Sequence, residues 1–162
     1  MVTNLSQFED IITQDNLSGF YTKRVVNGKG NHRKILVNEI VIDLDCHTKT
    51  IYEEITNIIC SRLIADKLSF TRWDTSRSNH IHLFFNDLHL HPKETRKEIR
   101  KQFLSHYCKG YEHYIDFNKT SENVMIRGFN AMHEKTGKRK ICVEQHKTYL
   151  NAIPAIILSG LI

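Results

Sequence analysis

Proline is scarce in this chain, with only two among 162 residues, and no stretch looks like a long linker. Internal repeats and low-complexity tracts are also missing. That length without internal punctuation suits one domain, long enough to bury a single core. None of the four cysteines forms a C-x-x-C pair, which argues against a zinc ribbon or knuckle. Cys46, Cys60, Cys108 and Cys142 are instead expected to be reduced thiols at core or half-buried positions. No apolar run approaches the roughly 20 residues of a membrane-spanning helix. Residues 1–10 are polar and carry two acids, unlike a secretory signal, so the expected location is cytoplasmic or nucleoid-associated.

What is present is ordinary for a soluble globular protein: 40% hydrophobic and 25% charged residues. The formal net charge of +5, beside ten histidines, is compatible with a polyanionic partner.

Residues 1–34 read as a lead-in and hairpin, 35–146 as the core and 147–162 as an apolar C-terminal segment packed on the core or on a neighbour. Residues 20–26 suit a strand, followed by the hairpin signal Asn27-Gly28. Residues 35–44 read as a second strand. Residues 48–65 read as a helix with Ile51, Ile55, Ile58, Ile59 and Leu63 on its inner face. Strands at 70–73 and 80–85 flank a polar turn, and a helix at 92–107 buries Ile99, Phe103 and Tyr107. Short strands are expected at 114–117, 124–127 and 140–143, with a basic loop at 128–139. The order predicts an α+β fold: a mixed, largely antiparallel sheet with helices packed on it, of palm or ferredoxin-like plan.

Three constellations carry chemistry. Asp43 and Asp45 end an apolar strand and share a face by alternation. Paired carboxylates repel, and a hard divalent cation such as Mg²⁺ removes that cost. Asp116 adds a third acid if its strand lies beside the first, enough for phosphoryl-transfer metals. The alternative is that Asp43 and Asp45 serve turn chemistry at the start of the next helix. Next, Ser78, His80 and His82 share one face of a strand, where they can bond phosphate oxygens or ligate a metal; the alternative is an exposed sheet face. Finally, Arg127 at a strand end and Lys135 in the Gly-containing loop that follows can neutralise a triphosphate, unless the loop is only a solvated hairpin.

In this order the segments resemble the archaeo-eukaryotic primase superfamily, the primase-polymerases. Asp43-Leu44-Asp45 is similar to its first motif, Ser78-Asn79-His80 to its second and Ile115-Asp116 to its third. Ile126-Arg127 and Lys135-Thr136-Gly137 are similar to the Arg strand and K-T-G-like turn of its small-protein branches. The resemblance covers roughly residues 35–143. It implies an RRM- or palm-like core in which Asp43, Asp45 and Asp116 hold Mg²⁺ or Mn²⁺ and are catalytic. Ser78, His80, Arg127 and Lys135 would bind the nucleotide, with His82 the alternative to His80 as the motif histidine. The implied activity is a DNA-directed nucleotidyl transferase that makes or extends a primer. The implied partners are a single-stranded DNA template, nucleoside triphosphates and a helicase or accessory replication domain, with no membrane.

Two other classes share some of these residues. His80-Ile81-His82 also matches the His-hydrophobic-His signature of rolling-circle single-strand endonucleases, with Tyr107 or Tyr111 as nucleophile. A non-catalytic RRM-type binding domain would stack bases on sheet aromatics. Its usual aromatic cluster is absent here, and acids occupy the sheet.

Overall fold

The computed structural model describes residues 32–133, 135–148 and 151–161. The expected lead-in at 1–18, the strand at 20–26 and the Asn27-Gly28 turn lie outside them. The described residues form an α+β fold with two antiparallel sheets and three α-helices.

The four-stranded sheet has the order β2-β4-β3-β6, from β2 (Glu39–Asp43), β4 (Asn79–Phe84), β3 (Phe70–Asp74) and β6 (Ile141–His146). Every pairing is antiparallel, so the expected parallel component is not between neighbours. It survives across the sheet: β2 and β3 run parallel with β4 inserted between them, joined through α1 (Lys49–Ala65). β1 (His32–Lys34) and β5 (Met125–Arg127) form a separate two-stranded ribbon.

The strand expected over 35–44 is broken. The chain turns at Leu36–Glu39, where the Glu39 amide donates to the Leu36 carbonyl (3.0 Å). The Glu39 carboxylate accepts the Leu36 amide (2.9 Å) and both terminal nitrogens of Arg33 (2.7 Å each). An acid that folds back on the preceding residues ends one strand and starts the next in another sheet.

α1 contains neither proline nor glycine and stops in a left-handed residue, Lys67 (φ 58°). The Leu68 amide reaches back to the Leu63 carbonyl (3.0 Å), and the Leu68 side chain is buried behind it. The inner stripe of α1 is Tyr52, Ile55, Thr56, Ile59, Cys60 and Leu63. Ile51 is exposed and Ile58 only half-buried, so the stripe is rotated from the all-aliphatic one expected. Thr56 tolerates burial because its hydroxyl donates to the Tyr52 carbonyl. α2 (Lys93–Tyr107) starts after Pro92 and buries Ile99, Phe103 and Tyr107 as expected, with Arg100 and Leu104 beside them.

Side-chain alternation divides the sheet into two faces. Ile40, Ile42, Leu44, Ile81, Leu83 and Phe70 join α1 and α2 in the main core. The apolar C-terminal segment also packs there: Ile153 and Ile157, the latter on α3 (Ala155–Ser159), are in the same core. Glu39, Val41, Asp43, His80 and His82 take the other face, which the β1–β5 ribbon covers through Ile35 and Ile126 on Val41. No helix among the described residues is long and apolar enough to cross a membrane.

Candidate functional site

The covered face opens at one end into a cleft of about 270 Å³. Asp43, Asp45, Ser78, His80 and Arg127 all line it, so five residues separated by up to 84 positions converge. His47, Arg77, Lys119 and His133 add cationic or titratable groups to the same lining.

Asp43 ends β2 directly across from His80 on β4. The His80 Nε2 lies 3.2 Å from Asp43 Oδ1, and the Lys119 Nζ lies 3.7 Å from Asp43 Oδ2. Burial raises the Asp43 carboxyl, but His80, Lys119 and Lys140 outweigh it and hold the group at about 2. Burial pushes His80 below its usual range, and nearby Lys140 and Arg127 add to this against the pull of Asp43. A neutral His80 donating from Nε2 to Asp43 leaves Nδ1 as an acceptor, and that atom is buried without a hydrogen-bond partner among the described residues.

Asp116 reaches the same place by a different local structure from the one expected. Residues 114–117 are not a strand: two 3-10 turns, Glu112–Tyr114 and Phe117–Thr120, flank a single bridge between Ile115 and Leu44. The reason is local. The Asp116 side chain accepts the Asn118 amide (2.9 Å) and so starts a turn instead of continuing a strand. The expected adjacency to β2 still holds, since the Asp116 amide donates to the Asp43 carbonyl (3.0 Å) and the Asp45 amide to the Tyr114 carbonyl (2.7 Å). The same turn brings Lys119 back over Asp116, with Nζ 3.6 Å from Oδ2. Lys119 therefore bridges Asp43 and Asp116, and its Nζ also donates to the Met125 carbonyl (3.2 Å). Asp45 is exposed at the cleft surface. Among the described residues no three His, Cys, Asp or Glu side chains gather at metal-ligating spacing. Asp116 is not itself among the lining residues, but the donor chemistry suits a hard cation: Asp43 and Asp116 share one positive charge beside a cleft that Asp43 and Asp45 line.

Ser78 is buried in the turn before β4, and its hydroxyl donates to the Leu44 carbonyl (2.5 Å). This bond ties the second motif to the first. The turn itself is built by Asp74 accepting the Ser76 amide (2.6 Å) and by Thr75, whose hydroxyl donates to the Ser78 carbonyl (2.9 Å). Arg127 ends β5 and is 7% exposed. Its Nη2 donates to the Thr75 carbonyl (2.6 Å), while Nη1 is buried with no partner among the described residues. Arg127 is thus a cleft-lining guanidinium with an unsatisfied donor, the kind of group that favours an anion.

His82 and Lys135 are not part of the lining. His82 is 0% exposed beneath it, with Nδ1 donating to Glu39 (2.6 Å) and Nε2 accepting from Lys140 (2.8 Å). Burial first, and then Lys140, pushes its imidazole well below the usual range. Between His80 and His82, only His80 reaches the cleft. Lys135 is exposed on the hairpin, where its amide and that of Thr136 donate to His133 Nδ1 (3.1 and 3.2 Å). His133, not Lys135, is the loop residue at the cleft.

Sequence reasoning missed the buried polar assembly behind the site. Arg33, Glu39, His82 and Lys140 form a chain of bonds, and Lys140 Nζ donates onward to the Arg127 carbonyl (3.0 Å). Burial raises the Glu39 carboxyl, but Arg33 and His82 bring it far below the carboxylate range. Trp73 and Phe129 stack beside this chain with ring centroids 4.2 Å apart. Alternation from Asp43 back through Val41 to Glu39 was the available signal. Lys119 was signalled only by its spacing of three from Asp116.

No protein-family model, curated protein or solved structure matches this chain.

Proposed function

We propose that the chain is a nucleotidyl transferase of primase-polymerase type, which uses nucleoside triphosphates to make or extend a primer on a single-stranded DNA template. The observation that carries this proposal is that Arg127, whose buried Nη1 has no hydrogen-bond partner among the described residues, lines the same cleft as Asp43, Asp45 and Lys119, with Lys119 bridging Asp43 to Asp116. An anion acceptor beside acidic cation ligands is what a metal-bound triphosphate requires. The split strand-helix-strand arrangement, with β4 between β2 and β3 and the Ile115 bridge on the far side of β2, supports an RRM- or palm-like core.

In this proposal Asp43 and Asp116 hold the Mg²⁺ or Mn²⁺ ion, and Asp45 joins them from the cleft surface. A divalent ion bound there supplies positive charge to the reacting phosphate. Arg127 neutralises the triphosphate from its free donor. His80 orients Asp43 through Nε2, and Ser78 keeps the two motif strands in register through Leu44. Catalysis is then mostly positioning and fixed charge.

The rival chemistry is less well served. Both ring nitrogens of His82 are engaged, which leaves none to ligate a metal beside His80. The Tyr107 hydroxyl donates to Asp66 (2.7 Å) and its ring is buried in the helical core, while Tyr111 stacks under Arg62. Neither tyrosine lines the cleft. For an RRM-type binder, the sheet face that would stack bases carries Glu39, His82 and Asp43 under a covering ribbon.

The test is primer extension on a labelled single-stranded template with mixed nucleotides and Mg²⁺ or Mn²⁺, resolved on a denaturing gel. Longer products that vanish in the Asp43→Ala, Asp45→Ala double variant are expected. Shortened DNA, or label attached to the protein through tyrosine, would replace the transferase with a nuclease.

A further inference from the structure

The divalent-ion part of the proposed function leaves one residue unexplained. Lys119 Nζ stands between Asp43 Oδ2 and Asp116 Oδ2, at 3.7 and 3.6 Å. The same residue is anchored by the Met125 carbonyl on β5, one of the two strands that cover the site. Its position follows from the turn that Asp116 starts, so it comes with the third motif and is not a chance surface approach. The side chain is 15% exposed, so one positive charge is held against the two carboxylates from within the fold.

We infer that Lys119 is an internal counter-ion that occupies the cation position between Asp43 and Asp116 and must swing out when a divalent ion binds. An ammonium and a metal dication cannot share that position, because like charges about 4 Å apart repel strongly in a partly buried cleft. The ammonium keeps the two acids from repelling each other before loading. The competition also sets a threshold, since the metal displaces a charge already paid into the site. Once released, Lys119 carries its charge into a cleft that holds the free donor of Arg127, where it adds to the attraction for a bound anion. Lys119 is thus a positioning residue that couples metal loading to anion binding.

The first measurement is Mn²⁺ binding to the whole chain, read from loss of the free-ion electron paramagnetic resonance signal without nucleotide or template. Lys119→Met keeps the stem and removes the charge, and it should tighten Mn²⁺ binding roughly tenfold or more. Lys119→Arg keeps the charge and should bind no more tightly than wild type. The second uses the unmodified protein: acetylation of Lys119 by an amine-reactive ester, followed by mass spectrometry, should speed up several-fold when Mg²⁺ saturates the site. Unchanged or weaker Mn²⁺ binding by Lys119→Met, or acetylation indifferent to Mg²⁺, overturns the inference. So does a lack of Mn²⁺ binding in both wild type and Lys119→Met. Because neither experiment contains substrate, their failure is separable from failure to extend a primer.

Discussion

The two faces of the four-stranded sheet solve opposite problems. One face presents Ile40, Ile42, Ile81 and Leu83 to α1 and α2 and is held mainly by apolar burial, with Arg72 and Asn79 bonded to Glu53, Asn57 and Thr56 of α1. The other presents Glu39, Asp43, His80 and His82, and its cover contributes Arg33, Arg127 and Lys140. Strands that alternate in this way place stabilising and chemical side chains one residue apart. The charged face is costly, because buried ions lose hydration that pairing only partly restores. Its retention under a ribbon fits a face shaped for binding, whereas the apolar face needs no such account.

The sharpest way to break this contrast is to exchange the effects. Asp43→Asn should reduce primer extension by about 10²–10³-fold, as for loss of a fixed charge at a reacting centre, with the protein still folded. Leu83→Ala, on the apolar face, should lose about 2–5 kcal/mol of stability in urea melts while activity per folded molecule stays near wild type. If Leu83→Ala lost activity and Asp43→Asn did not, the two faces would have been assigned the wrong way round.

A second contrast lies within the charged face. Glu39→Gln leaves the Arg33 guanidinium buried without its carboxylate and should cost about 3–5 kcal/mol in the same melts. A cost below about 1 kcal/mol would mean that the pair is effectively solvated.

The pH dependence sharpens the comparison further. His82 is held neutral when folded, with its pKa well below its ordinary value of 6.5, so the unfolded chain binds the extra proton. Stability should therefore fall as pH drops below about 6.5, by at most about 1.4 kcal/mol per pH unit for this group, until its folded pKa is passed. His82→Gln should flatten that slope, measured by urea melts between pH 7 and 5. Asp43 acts lower: its stabilisation is present above the unfolded value of 3.8 and is lost as pH falls through about 2. The smallest effect is expected from Lys135→Ala, exposed on the hairpin, which should change nucleotide affinity by less than about threefold if only screened surface charge is lost.

The apolar face was the legible one. The alternation of Ile81 and Leu83 and the stripe Ile99, Phe103, Tyr107 predict their burial directly. In α1 the stripe was misplaced because Tyr52, Thr56 and Cys60 do not score as aliphatic, although each buries well once its polar atom is satisfied or weak. The charged face was only half legible. Alternation put Asp43 with Asp45 and His80 with His82, but that both acids and only His80 of the histidines reach the cleft depends on what covers the sheet. That cover comes from β1 and β5, 91 residues apart even at the paired positions nearest in sequence, Lys34 and Met125, and periodicity holds no trace of the pairing. The break at Leu36–Glu39 was hidden for a similar reason: it is made by the Glu39 side chain folding back on Arg33. Asp116 was expected on a strand and lies beside β2 in a turn instead, because one side-chain bond to Asn118 decides the local structure.

The most direct test of the charged face as a nucleotide site is calorimetric titration of a nucleoside triphosphate, with Mg²⁺ present and no template, into wild type and Arg127→Met. Saturable binding to wild type, weakened at least about tenfold in Arg127→Met through loss of a charge-assisted contact, is the predicted result. Equal binding to both proteins, or none to wild type, would contradict the assignment of Arg127 and the cleft to a triphosphate.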